Sequence, residues 1–100
     1  MKCTLVIVSD SKDNKSFEFD KNEITIGRIT GNDLVLDDMS ISRTHAKIIE
    51  KEGQFEIIDL ESKNGIKRNG EKVSNAILSN GDKIEIGNVP IEFHCDVPAV

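Results

Sequence analysis

Alternating apolar and polar residues, closely spaced turn dipeptides and the lack of any helical apolar stripe mark this 100-residue chain as an all-β sandwich. The alternation is clearest in Val89-Pro90-Ile91-Glu92-Phe93-His94-Cys95-Asp96-Val97, where the odd positions are apolar and the even ones are not. Asn-Gly occurs at Asn64-Gly65, Asn69-Gly70 and Asn80-Gly81, and Gly87-Asn88 adds a further turn signal. Asn and Gly tolerate the positive φ that tight β-turns require.

Taken in order, the apolar run within Met1–Asp10 is too short for a signal peptide and has no small-residue cleavage site, so it reads as a buried strand. Asp10-Ser11-Lys12-Asp13-Asn14-Lys15 is a solvated loop. It is not a calcium loop, because Lys12 takes a ligand position and the glycine and distal Glu are missing. Phe17 and Phe19 flank Glu18, and Ile24 and Ile26 alternate with Glu23 and Thr25, giving two strands. Leu34–Leu36 is a short apolar run, and Ala46–Ile49 and Phe55–Ile58 form a hairpin around Glu52-Gly53. Ile84 and Ile86 alternate with Lys83 and Glu85 before the last strand. Pro90 cannot donate to a ladder, which implies an edge position or a bulge at that strand's start. About ten or eleven short strands result.

The length allows one domain, residues 1–100, with a real core. Hydrophobic residues at 37% and charged residues at 31% fit a globular chain and argue against disorder. A net charge of −5, with no Trp and no Tyr, excludes a general nucleic-acid binder, which needs a basic face and stacking platforms. No segment approaches the ~20 apolar residues of a membrane span, so neither nucleic acid nor membrane is expected as a partner. Cys3 and Cys95 have no zinc or CxxC spacing. They would be neighbours if the terminal strands pair, but read more simply as small core thiols, placing the chain in a reducing, cytoplasmic compartment. No metal or cofactor is expected.

Three polar clusters stand at the edges of apolar runs: Gly27-Arg28, then Ser42-Arg43-Thr44-His45, then Asp59 with Ser62-Lys63-Asn64-Gly65. Loops between rigid strands are a common place for recognition residues. If the three meet, they form a cationic cup rich in donors, which suits a phosphate carrying about −1.5 to −2 charges and three acceptor oxygens. Arg28 offers a planar fork of donors and Ser42 a hydroxyl. The Asn64 amide both donates and accepts, so it can grip a peptide backbone, which a bare phosphate does not require. Up-down strand counting puts the loops 37–44 and 60–65 at one end but leaves Arg28 at the other, unless the short Leu34–Leu36 run is simply crossed. Taken singly, each residue also has an ordinary role, as surface cation, turn cap, structural histidine or loop tie.

The order and spacing of these features closely resemble the forkhead-associated (FHA) domain. The matching elements are Gly27-Arg28, Asn32-Asp33 before an apolar triplet, Ser42-x-x-His45, Asp59-x-x-Ser62-x-Asn64-Gly65, Asn69-Gly70 and Leu78-x-x-Gly81-Asp82-x-Ile84-x-Ile86-Gly87. They run from about Ile24 to Gly87. The resemblance implies an eleven-stranded antiparallel β-sandwich whose loops converge at one apex to bind phosphothreonine peptides. It implies Arg28, Ser42, Arg43 and Lys63 as phosphate-binding residues and Asn64 as the grip on the peptide backbone. Gly27, His45, Asp59, Ser62 and Gly65 would be structural supports. The implied partner is a threonine-phosphorylated protein or peptide, by extension a Ser/Thr kinase or its substrate. Two departures stand out: Ile66 follows Asn64-Gly65 where the family often has threonine, and Glu61 is acidic close to the site.

Two rival readings remain. A domain of this fold could bind partners through its sheet faces without phosphate. Alternatively Ser42, His45 and Asp59 could form a hydrolase triad, although Ser42 and His45 lie in one short segment and no GxSxG elbow exists.

Overall fold

Apolar side chains at every second position give each strand one face to bury, and two such sheets can satisfy each other by stacking. The computed structural model describes residues 2–8 and 14–95. Most of the charged loop at 10–15 and the end of the last alternating run therefore lie outside the described residues. The described residues form eleven strands: β1 (Cys3–Ile7), β2 (Lys15–Phe19), β3 (Glu23–Gly27), β4 (Leu34–Val35), β5 (Ala46–Lys51), β6 (Gln54–Asp59), β7 (Ile66–Arg68), β8 (Glu71–Val73), β9 (Asn75–Leu78), β10 (Lys83–Ile86) and β11 (Val89–Cys95). One sheet has the order β2-β1-β11-β10-β7-β8 and the other β4-β3-β5-β6-β9.

Between them lies a single core in which Leu5, Ile24, Ile48, Ile57, Ile86 and Phe93 are wholly or almost wholly removed from solvent. Phe55 of one sheet meets Phe93 of the other edge to face, with ring centroids 5.4 Å apart, a geometry worth about 0.5–1.5 kcal/mol beyond the buried area. The terminal strands do pair. Cys3 stands opposite Cys95 in the β1–β11 register.

The strands are not all antiparallel. β4 runs parallel to β3, with Ile26 opposite Leu34 and Gly27 opposite Val35. This changes the strand count, because the chain returns through residues 28–33 before β4 starts. The ends of β3 and β4 therefore point the same way, and Arg28 lands at the same end as the loop that follows β4. Simple alternation fails here since it assumes that each strand reverses its predecessor.

Pro90 also differs from expectation, since β11 lies between β1 and β10 rather than at an edge. Its carbonyl accepts from Val8 N–H at 3.0 Å, just past the end of β1. Val8 and Pro90 form the last pair of this ladder, in which Val8 N–H donates and the proline has no N–H to return, so a single terminal bond is lost and an interior strand tolerates it.

At the start of β10, Asp82 holds two turns together. It is 8% exposed and accepts from Ser79 N–H at 2.8 Å, Arg68 Nε at 3.0 Å and Asn69 Nδ2 at 3.2 Å. Burial alone would raise its pKa, but the Ser79, Arg68 and Asn69 donors outweigh it and hold the carboxyl below the usual carboxylate range. Asp82→Ala should therefore cost about 1–3 kcal/mol in urea denaturation at neutral pH, by orphaning these donors. A depressed folded-state pKa stabilises above the unfolded value and is lost as pH falls through the folded one. The gap between wild type and Asp82→Ala should accordingly close below about pH 4.

Candidate functional site

Gly27 ends β3 against the following loops with no room for a side chain. A Cβ there would stand 2.1 Å from the Arg43 carbonyl oxygen and 2.6 Å from Asn32 Nδ2. That close approach lets the Arg43 carbonyl gather donors from the facing loop: Arg28 N–H at 3.1 Å, Ile29 N–H at 3.5 Å and Asn32 Nδ2 at 2.9 Å. Arg28 N–H is shared with the Ser42 carbonyl at 3.0 Å. The loops after β3 and β4 are in this way stitched backbone to backbone.

His45 joins the third loop. Its Nδ1 accepts from Ser42 N–H at 3.0 Å, so the ring proton sits on Nε2, which donates to the Gly65 carbonyl at 2.7 Å. The side chain is fully buried. Asp59 takes the Ser62 hydroxyl and, at 3.3 Å, the Ser62 N–H, while the Ser62 oxygen accepts from Gly65 N–H at 2.8 Å. Gly65 has φ +74°, a conformation that costs glycine little, and a Cβ there would come 3.0 Å from the Lys72 side chain. Gly27, His45, Asp59, Ser62 and Gly65 thus all bond or pack within the framework beneath the loops.

Above this framework is a cavity of about 300 Å³ lined by Arg28, Ser42, Arg43, Lys63 and Asn64 together with Met39, Ser40 and Ile41. Arg28 Nε donates to the Ile41 carbonyl at 3.1 Å, which fixes the guanidinium plane and leaves its two terminal amino groups. Ser42 Oγ accepts from Lys63 N–H at 3.0 Å, leaving the hydroxyl proton to donate. Asn64 Nδ2 donates to the Ser40 carbonyl at 2.8 Å, leaving its carbonyl oxygen and one N–H. Arg43 and Lys63 are exposed. Three cations therefore line one cavity of a chain whose net charge is −5. The acidic Glu61 is exposed, has φ +56° and does not line it.

The triad geometry is not assembled. Both His45 nitrogens are engaged by backbone, Ser42 Oγ bonds to Lys63 N–H, and Asp59 bonds to Ser62 rather than to His45.

Sequence reasoning passed over Ser40 and Met39. Ser40 N–H and Oγ both bond to Asp38 Oδ1, at 2.8 and 2.6 Å, and Ser40 Oγ accepts from Asn88 N–H at 2.9 Å. The side-chain and then the backbone hydrogen bond from Ser40 lower the Asp38 pKa. Asp38-x-Ser40 is an Asx-turn pattern, the signal that could have found it. The β10–β11 turn props the loop from behind, since a Cβ on Gly87 would stand 2.5 Å from the Ser40 carbonyl. Met39 is 99% exposed at the cavity, and an isolated apolar residue in a polar loop gives no pattern to detect.

A two-sheet sandwich with three loops stitched over a cationic cavity is the architecture of a loop-borne recognition module. The chain belongs to the FHA-domain family, whose model matches residues 24–87. It is 35% identical over 89 residues to the glycogen accumulation regulator GarA of Mycolicibacterium smegmatis, covering 89% of this chain and 56% of that protein. It is equally 35% identical over 89 residues to an oxoglutarate dehydrogenase inhibitor of Corynebacterium diphtheriae, covering 89% and 62%. The chain thus spans little more than half the length of these relatives. Among solved structures it resembles the FHA domain of the CT664 protein from Chlamydia trachomatis, with TM-score 0.88, 30% identity, and 97% and 100% of the two chains covered. It also resembles EmbR of Mycobacterium tuberculosis in complex with a low-affinity phosphopeptide, with TM-score 0.82, 28% identity, and 97% and 26% covered.

His45→Ala should disorganise all three loops at once, because it orphans the Ser42 N–H and the Gly65 carbonyl and leaves a void. The expected cost is about 2–4 kcal/mol in thermal or urea unfolding. Amide chemical-shift changes should concentrate at residues 40–44 and 62–66 and spare β8 and β9.

Proposed function

We propose that residues 1–100 act as one phosphothreonine-peptide binding module, with the motif core at about 24–87, mediating phosphorylation-dependent protein association in Ser/Thr kinase signalling. The observation that carries this reading is the set of donors left over at the cavity. Arg28 keeps its terminal amino groups, Ser42 its hydroxyl proton and Asn64 one donor and one acceptor, after each has spent one group on fixing its own position. Preorganised charge-assisted donors are the strongest means of holding a phosphate dianion. Arg28 and Ser42 bind two phosphate oxygens, Arg43 and Lys63 add positive charge, and Asn64 holds the peptide backbone. The partner is a threonine-phosphorylated protein, a kinase or its substrate, met in the cytoplasm. The phosphopeptide held by EmbR supports the ligand class. No helix among the described residues is long and apolar enough to cross a membrane.

Calorimetry with a degenerate phosphothreonine peptide pool and its unphosphorylated counterpart tests the reading. Affinity near micromolar, about −8 kcal/mol, is expected for the phosphorylated pool alone, and equal binding of both pools would overturn it. Arg28→Ala should lose about 2–5 kcal/mol of binding, because it leaves the phosphate charge unpaired. Arg28→Lys should lose less, since it keeps the charge but not the fork. Binding should also weaken below about pH 6, as the phosphate takes up its second proton.

A further inference from the structure

The two cysteines of the chain face each other across the terminal strands, at the end of the sandwich away from the cavity. The hydrogen-bond phase of this ladder follows from one contact. Val8 N–H donates to the Pro90 carbonyl, so residues 8 and 90 occupy a hydrogen-bonded position. The register from Cys3↔Cys95 to Ile7↔Ile91 is unbroken. Bonded and non-bonded pairs alternate along an antiparallel ladder. Counting back from Val8 and Pro90, Ile7↔Ile91, Leu5↔Phe93 and Cys3↔Cys95 are the non-hydrogen-bonded pairs.

In such pairs the Cα atoms are about 4.5 Å apart and the side chains are closest. That separation lies within the roughly 4.4–6.8 Å that a disulfide spans. Both side chains are on the inner face, Cys3 in the core at 1% exposure and Cys95 half-buried against it. Both are thiols in this structure.

We propose that Cys3 and Cys95 form an oxidative modification site, in which a peroxide converts the two thiols into an intramolecular disulfide joining β1 to β11 and a thiol reductant reverses it. The half-buried Cys95 meets the oxidant. Its thiolate attacks one peroxide oxygen, the O–O bond breaks, and Cys95 sulfenic acid forms with release of one alcohol or, from hydrogen peroxide, one water. The Cys3 sulfur then attacks the Cys95 sulfur, forming the S–S bond. The sulfenic hydroxyl leaves and takes up the Cys3 proton as water. Two thiols lose two hydrogens and the peroxide is reduced by two electrons.

The order of attack follows from burial. The Cys3 pKa is pushed up to about 11, first by its removal from water and then by the neighbouring Cys95, so Cys3 stays protonated near neutrality and is the poorer first nucleophile. The Cβ atoms of a non-bonded cross-strand pair are about 4.5–5.5 Å apart, at or beyond the ~3.5–4.5 Å usual in disulfides. The bond therefore pulls the strands slightly together and belongs with the readily reduced class. A reversible linkage of this kind is compatible with a reducing compartment. Its effect is to fasten the first strand to the last, closing nearly the whole chain into one loop. The cavity lies at the opposite end of these strands, roughly 20 Å away at ~3.3 Å per residue.

The test is intact-mass and thermal measurement on the whole chain at low micromolar concentration, before and after hydrogen peroxide and again after dithiothreitol. Apart from oxygen added at methionine, oxidation should remove about 2 Da and yield a Cys3–Cys95 linked peptide on digestion. The melting temperature should rise, by less than unstrained closure of so long a loop would give because the strain of the bond offsets part of it, and dithiothreitol should reverse both changes. Cys95→Ser and Cys3→Ala should each abolish the mass loss and the shift. If Cys3→Ala does not fold, Cys95→Ser carries the control alone. Oxygen addition that digestion maps to Cys3 or Cys95 rather than to a methionine, disulfide-linked dimers in place of the internal bond, or an internal bond without a rise in melting temperature would each overturn the proposal. Phosphopeptide affinity, compared in a Met39→Leu variant so that no sulfoxide forms at the cavity, should be equal before and after oxidation, so the outcome does not depend on the binding reading.

Discussion

The site depends on one buried imidazole. His45 takes a backbone proton from Ser42 on one nitrogen and gives its own to the Gly65 carbonyl from the other, while its backbone bonds to Ile26 and Leu60. Four segments are thereby fixed by one residue, and the ring's two nitrogens have opposite roles that only a neutral tautomer can fill. A lysine or arginine could only donate and a carboxylate could only accept. This requirement explains why a histidine at the start of a strand has a structural task rather than a catalytic one. It also leaves the Ser42 hydroxyl proton unclaimed by the ring, since the imidazole accepts from the Ser42 backbone N–H instead.

The second constraint is steric. The Arg43 carbonyl can serve the loop after β3 only if β3 ends in a residue without a side chain, which is what the close approach to Gly27 records. The parallel β3–β4 pair makes that approach possible, because it returns the chain to the same end of the sandwich before the recognition loop begins. Topology, glycine and carbonyl hub form one device, and Arg28 inherits its position from all three.

Much of this was legible in the sequence, for identifiable reasons. Period-two alternation located Ile24 and Ile26, Ile84 and Ile86, and the last strand, because one buried face leaves a direct imprint on residue order. Glu52-Gly53 and Asn69-Gly70 both mark hairpins in which the two turn residues have positive φ. The parallel pair was not legible, since β4 is two residues long and strand direction leaves no mark on so short a run. Pro90 misled because it stands at the end of the β1–β11 ladder, where its missing donor removes one terminal bond while its carbonyl still accepts from Val8. The site residues could be named as clusters, but their convergence is a property of tertiary structure, and only the resemblance of the whole pattern to a known family anticipated it. Ser40 was overlooked because its role comes from Asp38, Asn64 and Asn88 rather than from its own chemistry.

An acidic chain carrying a cationic cavity is not a contradiction, and the length scale shows why. Charges more than about 8–10 Å apart are largely screened at physiological salt, so the net −5 of the chain acts weakly at the cavity. Within the cavity Arg28, Arg43 and Lys63 are near neighbours, and their contribution is local and charge-assisted. Polyanions such as nucleic acids draw their affinity from an extended basic face, and a net charge of −5 is the opposite balance. The local cluster of cations and the overall negative charge therefore act on different length scales of the same charge distribution.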